Sequence, residues 1–321
     1  MISRRIIRIK VLQVLYAFYS SPDKSINNTE RELFFSIQKT YDLYHYLLDL
    51  VIEISKHAES VIELRKKKHF PTEEDLNPNT RFIRNQLVAQ LQTNENLNKY
   101  LAQSKLSWVN EPELIRKLYT ELIASEFYKN YMEAGEDSYQ ADRKFIEQLI
   151  AEVILQSEDL SAILEEQSIY WNDDVDFVVS MILKTLKKFK EYTGESQSLL
   201  PMFKDEEDRQ FSKDLYRKVA LNHDELKGIV TKYTVNWDVE RIAFIDELIL
   251  EMAIAEFLYF PSIPTKVTLN EYIELSKYYS TKKSRNFING ILDKALKALK
   301  TENKILKAGR GLIGEDDNKS S

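Results

Sequence analysis

Apolar residues in this chain recur at three- and four-residue intervals almost from end to end, and little interrupts them: only seven glycines and seven prolines occur in 321 residues. Sandwiches and barrels need a turn signal roughly every ten residues, whereas long amphipathic helices need few. The fold class read from this pattern is all-α. Short polar breaks such as "SSPD", "HFPTEEDLNPN", "SWVNEP", "EAGEDS" and "YTGESQS" predict helices over 3–20, 29–69, 80–103, 111–133, 138–168 and 173–191. Further helices are predicted over 205–222, 223–234, 237–259, 268–279 and 284–300, with Pro261 and Pro264 forcing the break before 268. Residues 301–321, rich in glycine and charge, read as a disordered tail.

One repeat is visible. "DRKFIEQLIAEVILQSEDLSAILEEQSIYW", 142–171, aligns without gaps on "DRQFSKDLYRKVALNHDELKGIVTKYTVNW", 208–237, and nine of thirty positions are identical, among them Asp142/Asp208, Phe145/Phe211, Leu160/Leu226 and Trp171/Trp237. Two helical hairpins converge on such spacing as readily as a duplication produces it. Either way the shared apolar residues are core, and Trp171 and Trp237 are predicted to be buried at equivalent places.

Several chemistries are excluded by what is missing. There is no cysteine, and the four histidines do not pair at ligand spacing, so disulfides, thiol nucleophiles and transition-metal sites are not expected, nor is any cofactor. The glycines form no phosphate-cradling loop, and no catalytic grouping of Ser, His and Asp stands out, so the chain does not read as an enzyme and no catalytic residue is assigned. No uncharged run is long enough to span a membrane. The basic start followed by "VLQVLYAFYS" has the outline of a signal peptide, but Lys10 and Gln13 interrupt it and no small-residue cleavage site follows, which predicts a cytoplasmic protein.

Two segments run against the formal net charge of −6. In "SRRIIRIKVLQVLYAFYS" Arg4, Arg5, Arg8 and Lys10 meet no acidic residue, and on a helical wheel Arg5, Arg8, Leu12, Tyr16 and Tyr19 form a stripe away from Ile7, Val11, Val14, Leu15 and Phe18. Cations in a first helical turn oppose the helix dipole, so helix stability does not account for them, whereas an anionic ligand would. The plain alternative is a solvated basic face. The second segment, Lys277 to Lys300, holds seven Lys or Arg and one acid, Asp293, with Ser284 placed as N-cap and Lys282, Lys283 and Arg285 around the helix start. Cations beside Tyr16, Tyr19 and Phe287 have the composition of a single-stranded nucleic-acid footprint. Gly290 inside this helix predicts a close backbone approach, and "VTLNEY" reads as a capping box from Thr268 to Glu271 stapled by Val267 and Tyr272.

Residues 236–296 resemble the C-terminal half of the NusB family of transcription antitermination factors: "TLNEYIELSK" and "NFINGILD" stand where the family has an "INEAVELAK"-type helix and a closing "KFVNGVLD". The start "RRIIRIKVLQVLY" is similar to the family's arginine-rich first helix, and with "FSKDLYRKVALNHDELKGIVTKY" the likeness covers about 1–20 and 208–300. The resemblance implies a compact helical core over 1–20 plus 205–300, a helical insertion over 21–204 that ordinary members lack, and the tail from 301. It also implies boxA-type single-stranded RNA of ribosomal transcripts as ligand, NusE, a small-subunit ribosomal protein, as partner, and a place in the RNA polymerase antitermination complex. Carried over by motif, Arg4, Arg5, Arg8 and Tyr16, with Asn286 and Phe287, fall at the RNA side; Lys10, Lys282, Lys283 and Arg285 join them by charge. Asp246 falls at the NusE side, with its neighbour Glu247. Glu251 stands where the family often has arginine, which subtracts a charge. The competing readings are a NusB-fold scaffold for protein contacts in ribosome assembly, and the RNA-targeting module of a methyltransferase, for which a Rossmann-like domain is missing.

Overall fold

The computed structural model describes residues 1–22, 25–135, 137–234 and 243–314. All the regular elements among them are helices: α1 (Arg4–Ser20), α2 (Ile26–Lys66), α3 (Glu73–Leu76), α4 (Gln86–Thr93), α5 (Glu95–Ser104), α6 (Pro112–Ala124), α7 (Glu126–Glu133), α8 (Tyr139–Gln148), α9 (Glu158–Gln167) and α10 (Val175–Leu186). Then follow α11 (Glu206–Leu221), α12 (His223–Thr234), α13 (Phe244–Tyr259), α14 (Thr265–Tyr279) and α15 (Lys282–Thr301). The all-α reading holds. The chain divides into two compact units, a mid-chain unit of Met1 with Gln38–Met202 and a terminal unit of Ile2–Ile37 with Phe203–Ser321. The chain passes between them inside α2, not at the break after residue 20, because a pause in helical pattern need not coincide with a change of packing partner.

In the mid-chain unit two long predicted helices are divided by polar caps hidden inside apolar periodicity. Asn94 accepts from Leu97 N and starts α5; Ser125 accepts from Tyr128 N and starts α7. The 138–168 helix is broken by a π-helical turn, Leu149–Ile154, and by the N-cap Ser157. Phe145, Leu160 and Trp171 are buried here, and Trp171 Nε1 donates to Lys39 O at 2.7 Å. Phe211 and Leu226 are buried in the terminal unit, while their counterpart Trp237 lies outside the described residues.

The terminal unit is organised around α13. It is apolar on every side, and Leu248 to Phe257 are all buried, including Glu251 and Glu256. A helix hydrophobic all round belongs in the centre of a fold; α1, α11, α12, α14 and α15 all pack on it. Its two interior acids need partners, because an unpaired buried carboxylate is costly. That requirement shapes the candidate site.

Four local expectations change. α14 begins at Thr265, so Thr268 lies inside the helix and its hydroxyl donates to Glu256 Oε1 at 2.8 Å in place of capping, while Val267 is exposed. The N-cap of α15 is Thr281, which accepts from Ser284 N, so Lys282 and Lys283 lie within the first turn. Gly290 is exposed, and a Cβ placed on it would meet nothing within 4 Å, so no backbone approaches it closely. The tail is ordered through residue 314: Lys307 Nζ donates to Phe260 O at 2.9 Å and Ala308 N to Pro261 O at 3.0 Å. These groups reach carbonyls of the Pro261 break just past α13, where Phe260 O also accepts from Ile263 N at 3.2 Å. Residues 315–321 lie outside the described residues.

Candidate nucleic-acid interface

The site begins with the N-terminal arginines, and the structure puts them to a different use from the one their charge suggests. α1 packs on α11, α13 and α14, so a stripe that looks solvent-facing on an isolated wheel meets three helices. Arg8 is 2% exposed; its Nε and Nη2 donate to Glu256 at 2.8 and 2.7 Å. Tyr272 OH donates to the same carboxylate at 3.2 Å. Burial alone would lower the Arg8 pKa, but the charge and hydrogen bonds of Glu256 raise it above its ordinary value, so the guanidinium stays charged. Arg4 Nε donates to Asp208 Oδ1 at 2.7 Å, and its guanidinium lies 5.0 Å from the centre of the Phe211 ring. Arg5, 44% exposed in its side chain, makes a two-pronged pair with Glu271 at 3.0 and 2.8 Å. Burial pulls the Glu271 carboxyl up, yet the bonds from Arg5 and the charge of Arg8 outweigh it and hold the carboxyl below its usual value. Lys10 is buried.

The expectation of a free basic stripe on α1 is therefore corrected: Arg8 and Lys10 are interior residues, and Arg4 and Arg5 are engaged by acids of the same unit. Those acids are far away in sequence, which is why the local segment looked uncompensated.

The start of α15 keeps its cations outward. Lys282, Lys283 and Asn286 are exposed, and no acid occupies the first turn. Arg285 is half-buried, and its Nε has no hydrogen-bond partner among the described residues. Phe287 is buried, so its ring packs in the core and is not offered to a base. The ring that sequence reading missed is Tyr278, 72% exposed at the end of α14; the "KYYSTKK" string carried it, but helical spacing alone did not say which tyrosine faces out. Gln13 Nε2 donates to Tyr279 OH at 3.0 Å. That bond ties α1, one turn before the 46% exposed Tyr16, to the segment just before Lys282. Lys282, Lys283, Asn286, Tyr278 and Tyr16 are thus accessible groups carried by the two ends that this bond joins.

Tyr16 also leads into a row of rings. Its centroid lies 5.6 Å from that of Phe244; Phe244 lies 6.2 Å from Tyr19, and Tyr19 stacks on His223 at 4.3 Å. His223 Nδ1 lies 2.8 Å from Glu251 Oε2, while Glu251 Oε1 has no hydrogen-bond partner among the described residues. Burial pushes the Glu251 carboxyl up to about 7, against the lowering effect of His223. Glu251 is wholly interior, so it does not subtract charge from an exposed face as expected. Asp246 is buried in the first turn of α13, and Glu247 pairs with Lys227 at 2.8 Å; of the two acids expected to meet a partner, only Glu247 is partly accessible. No group of three or more His, Asp or Glu side chains among the described residues is arranged to hold a metal ion. No helix among them is long and apolar enough to cross a membrane.

Comparison with known proteins gives this geometry a context. The profile of the NusB family matches residues 177–297, a span that runs from α10 through α14 and into α15 but leaves out α1. The transcription antitermination protein NusB of Salinibacter ruber is 37% identical over 141 residues, covering 42% of this chain and 88% of that protein. The proteins of the same name from Chloroherpeton thalassium and Oleidesulfovibrio alaskensis are 39% and 49% identical over 105 and 89 residues, and the chain spans 50% and 58% of their lengths. The solved structure of T. maritima NusB aligns at 24% identity over 42% of this chain and 84% of that one, with a TM-score of 0.28. On its identity to the Salinibacter ruber protein across most of that protein's length, and on the family match through the terminal unit, this chain belongs to the NusB family.

Proposed function

We propose that this chain is a non-enzymatic, RNA-binding transcription antitermination factor of the cytoplasm, which recognises boxA-type RNA in ribosomal transcripts together with NusE and acts in the RNA polymerase antitermination complex. The relatives bear the name of that activity. The observation that carries the RNA part is the start of α15, where exposed Lys282 and Lys283 crowd a helix N-terminus that has no acid of its own. Such an arrangement costs helix stability and is relieved by a phosphate. Exposed Tyr278 and Tyr16 supply ring faces for bases. Arg4 and Arg5 join this surface only by exchanging an acid of the same unit for a phosphate, so they rank behind the lysines as contacts. Arg8, Lys10 and Phe287 hold the fold that presents it. NusE meets the unit near Glu247, on the side of α13 that starts beside Tyr16.

The test is a titration of fluorescently labelled boxA RNA with the full chain, alone and with NusE, followed by anisotropy. Binding that tightens when NusE is added, and exceeds that of a scrambled RNA, supports the reading. Equal affinity for both RNAs in the presence of NusE overturns it in favour of a protein-contact scaffold.

A further inference from the structure

The mid-chain unit carries a second surface that the α15 site does not use. α10 ends at Leu186, and around that end Lys184, Lys187, Lys188 and Lys190 are all exposed. None of the four is ion-paired to an acid among the described residues, and what sets them apart from other unpaired lysines of the unit is that they lie within seven residues of one another around one helix end. The helix dipole accounts for cations within the last turn only, and Lys190 lies beyond it. Next to Lys190 stands Tyr192, 81% exposed, with the ammonium 5.4 Å from its ring centre.

The turn that presents Tyr192 is fixed from behind. Gln90 Nε2 on α4 reaches Lys190 O, Thr193 Oγ1 and Gly194 O at 3.1, 3.1 and 2.9 Å. Asn94 Nδ2 donates to Gln197 O at 2.8 Å, and Thr193 Oγ1 to Gln197 Oε1 at 2.7 Å. Gly194 takes φ +54°, a conformation that side-chain-bearing residues avoid. A well-clamped backbone holding one large ring in solvent is the reverse of what burial favours. The surrounding charge is positive on balance: α4 carries none, and the acids nearby in the chain are Glu191 and Glu195 of the turn itself. Phe189 and Leu186 are buried, so no apolar face accompanies Tyr192 as membrane insertion would need.

We propose that the end of α10 and the 190–197 turn form a second binding surface for single-stranded RNA, with Lys184, Lys187, Lys188 and Lys190 on phosphates and Tyr192 stacked on a base. This surface is sequence-tolerant by construction, since every base has a face to stack and lysines contact phosphates without reading bases. It does not depend on the boxA reading.

The test uses the full chain and a 5′-labelled oligouridine of about 20 nucleotides, longer than the roughly 4 to 16 that one such surface covers, titrated across a range of KCl. The combined Lys184→Gln, Lys187→Gln, Lys188→Gln variant is expected to lower the log–log salt slope by about 2, at roughly 0.7 per lost single-strand phosphate contact. Tyr192→Ala is expected to weaken binding by about tenfold at constant slope. Photocrosslinking with 4-thiouridine should label the 184–197 peptide. All changed side chains are exposed, and a thermal melt matching the parent protein confirms that each variant folds. Unchanged slope and affinity in both variants overturn the proposal, as does selective binding of the lysine cluster to phosphatidylserine vesicles with none to oligouridine. If boxA preference is absent while oligouridine binding still responds to these substitutions, the first reading fails and this one stands.

Discussion

Arg8 and Arg5 lie three residues apart on one helix and should behave as opposites. Arg8→Ala strands the interior Glu256 carboxyl with only Thr268 and Tyr272 bonded to it, a loss of about 3 to 5 kcal/mol by the usual cost of removing one member of a buried pair. Arg5→Ala removes a pair open to solvent on the arginine side and should cost under about 1 kcal/mol. Urea unfolding of the two variants measures the contrast, and equal midpoints would show that the Arg8 pair is not the anchor of α1. A second residue-scale expectation concerns Glu251. Its folded carboxyl is raised from 4.5 to about 7, so between those values the native state keeps a proton that the unfolded chain releases. Its contribution is complete below pH 4.5 and lost as pH rises through 7. Glu251→Gln should flatten that part of the stability–pH curve relative to the parent protein; parallel curves would locate the titration elsewhere. At this scale the residue types on α1 were legible and their direction was not. A wheel shows which side chains share a stripe, but not that Glu256 and Glu271, about 250 residues on, lie opposite it.

At the scale of elements, helices long and periodic enough to be built from one pattern were legible: α2, α11 and α12 fall within a few residues of their sequence bounds. The misplaced starts have a shared cause. Thr281, Asn94 and Ser125 cap helices through a single side-chain bond, and such a bond leaves no trace in apolar periodicity. The tail reads as disorder because of its glycines, yet Gly311 is there for contact: a Cβ on it would sit 1.9 Å from Pro261 O. Gly311→Ala must therefore push the 308–312 turn off the end of α13, at about 1 to 3 kcal/mol by analogy with other overpacking changes. Faster amide exchange at Ala308 together with a lower melting temperature is the expected result, and unchanged protection at Ala308 would contradict the close approach.

For the whole molecule, net charge was a poor guide. A chain with a formal charge of −6 pairs many of its acids with its own arginines and lysines and leaves selected lysines without an ion pair among the described residues, so the RNA binding proposed for it depends on where pairing stops. Replacing Lys282 and Lys283 together by alanine should reduce the salt slope of boxA binding by about 1.4, two single-strand contacts at roughly 0.7 each, and raise stability slightly by removing two cations from the first turn of α15. An unchanged slope would remove α15 from the interface. The family resemblance was readable in the sequence because its motifs are also packing motifs: "NFINGILD" places Phe287, Ile288, Ile291 and Leu292 in the core. The same fact explains why the site was harder to read. Residues shared with a family for folding and residues shared for binding have the same appearance in a string, and only burial separates Phe287 from Asn286.

The Arg8–Glu256 pair, finally, constrains how this lineage can drift. Changing either partner alone passes through a protein with a stranded interior charge, whereas changing both to well-packed apolar residues is close to neutral. The two positions, 248 residues apart, are therefore bound to mutate in concert or not at all. A lineage that changes one of them is thus expected to restore it or to change the other, so that the pair forms a valley between two allowed states.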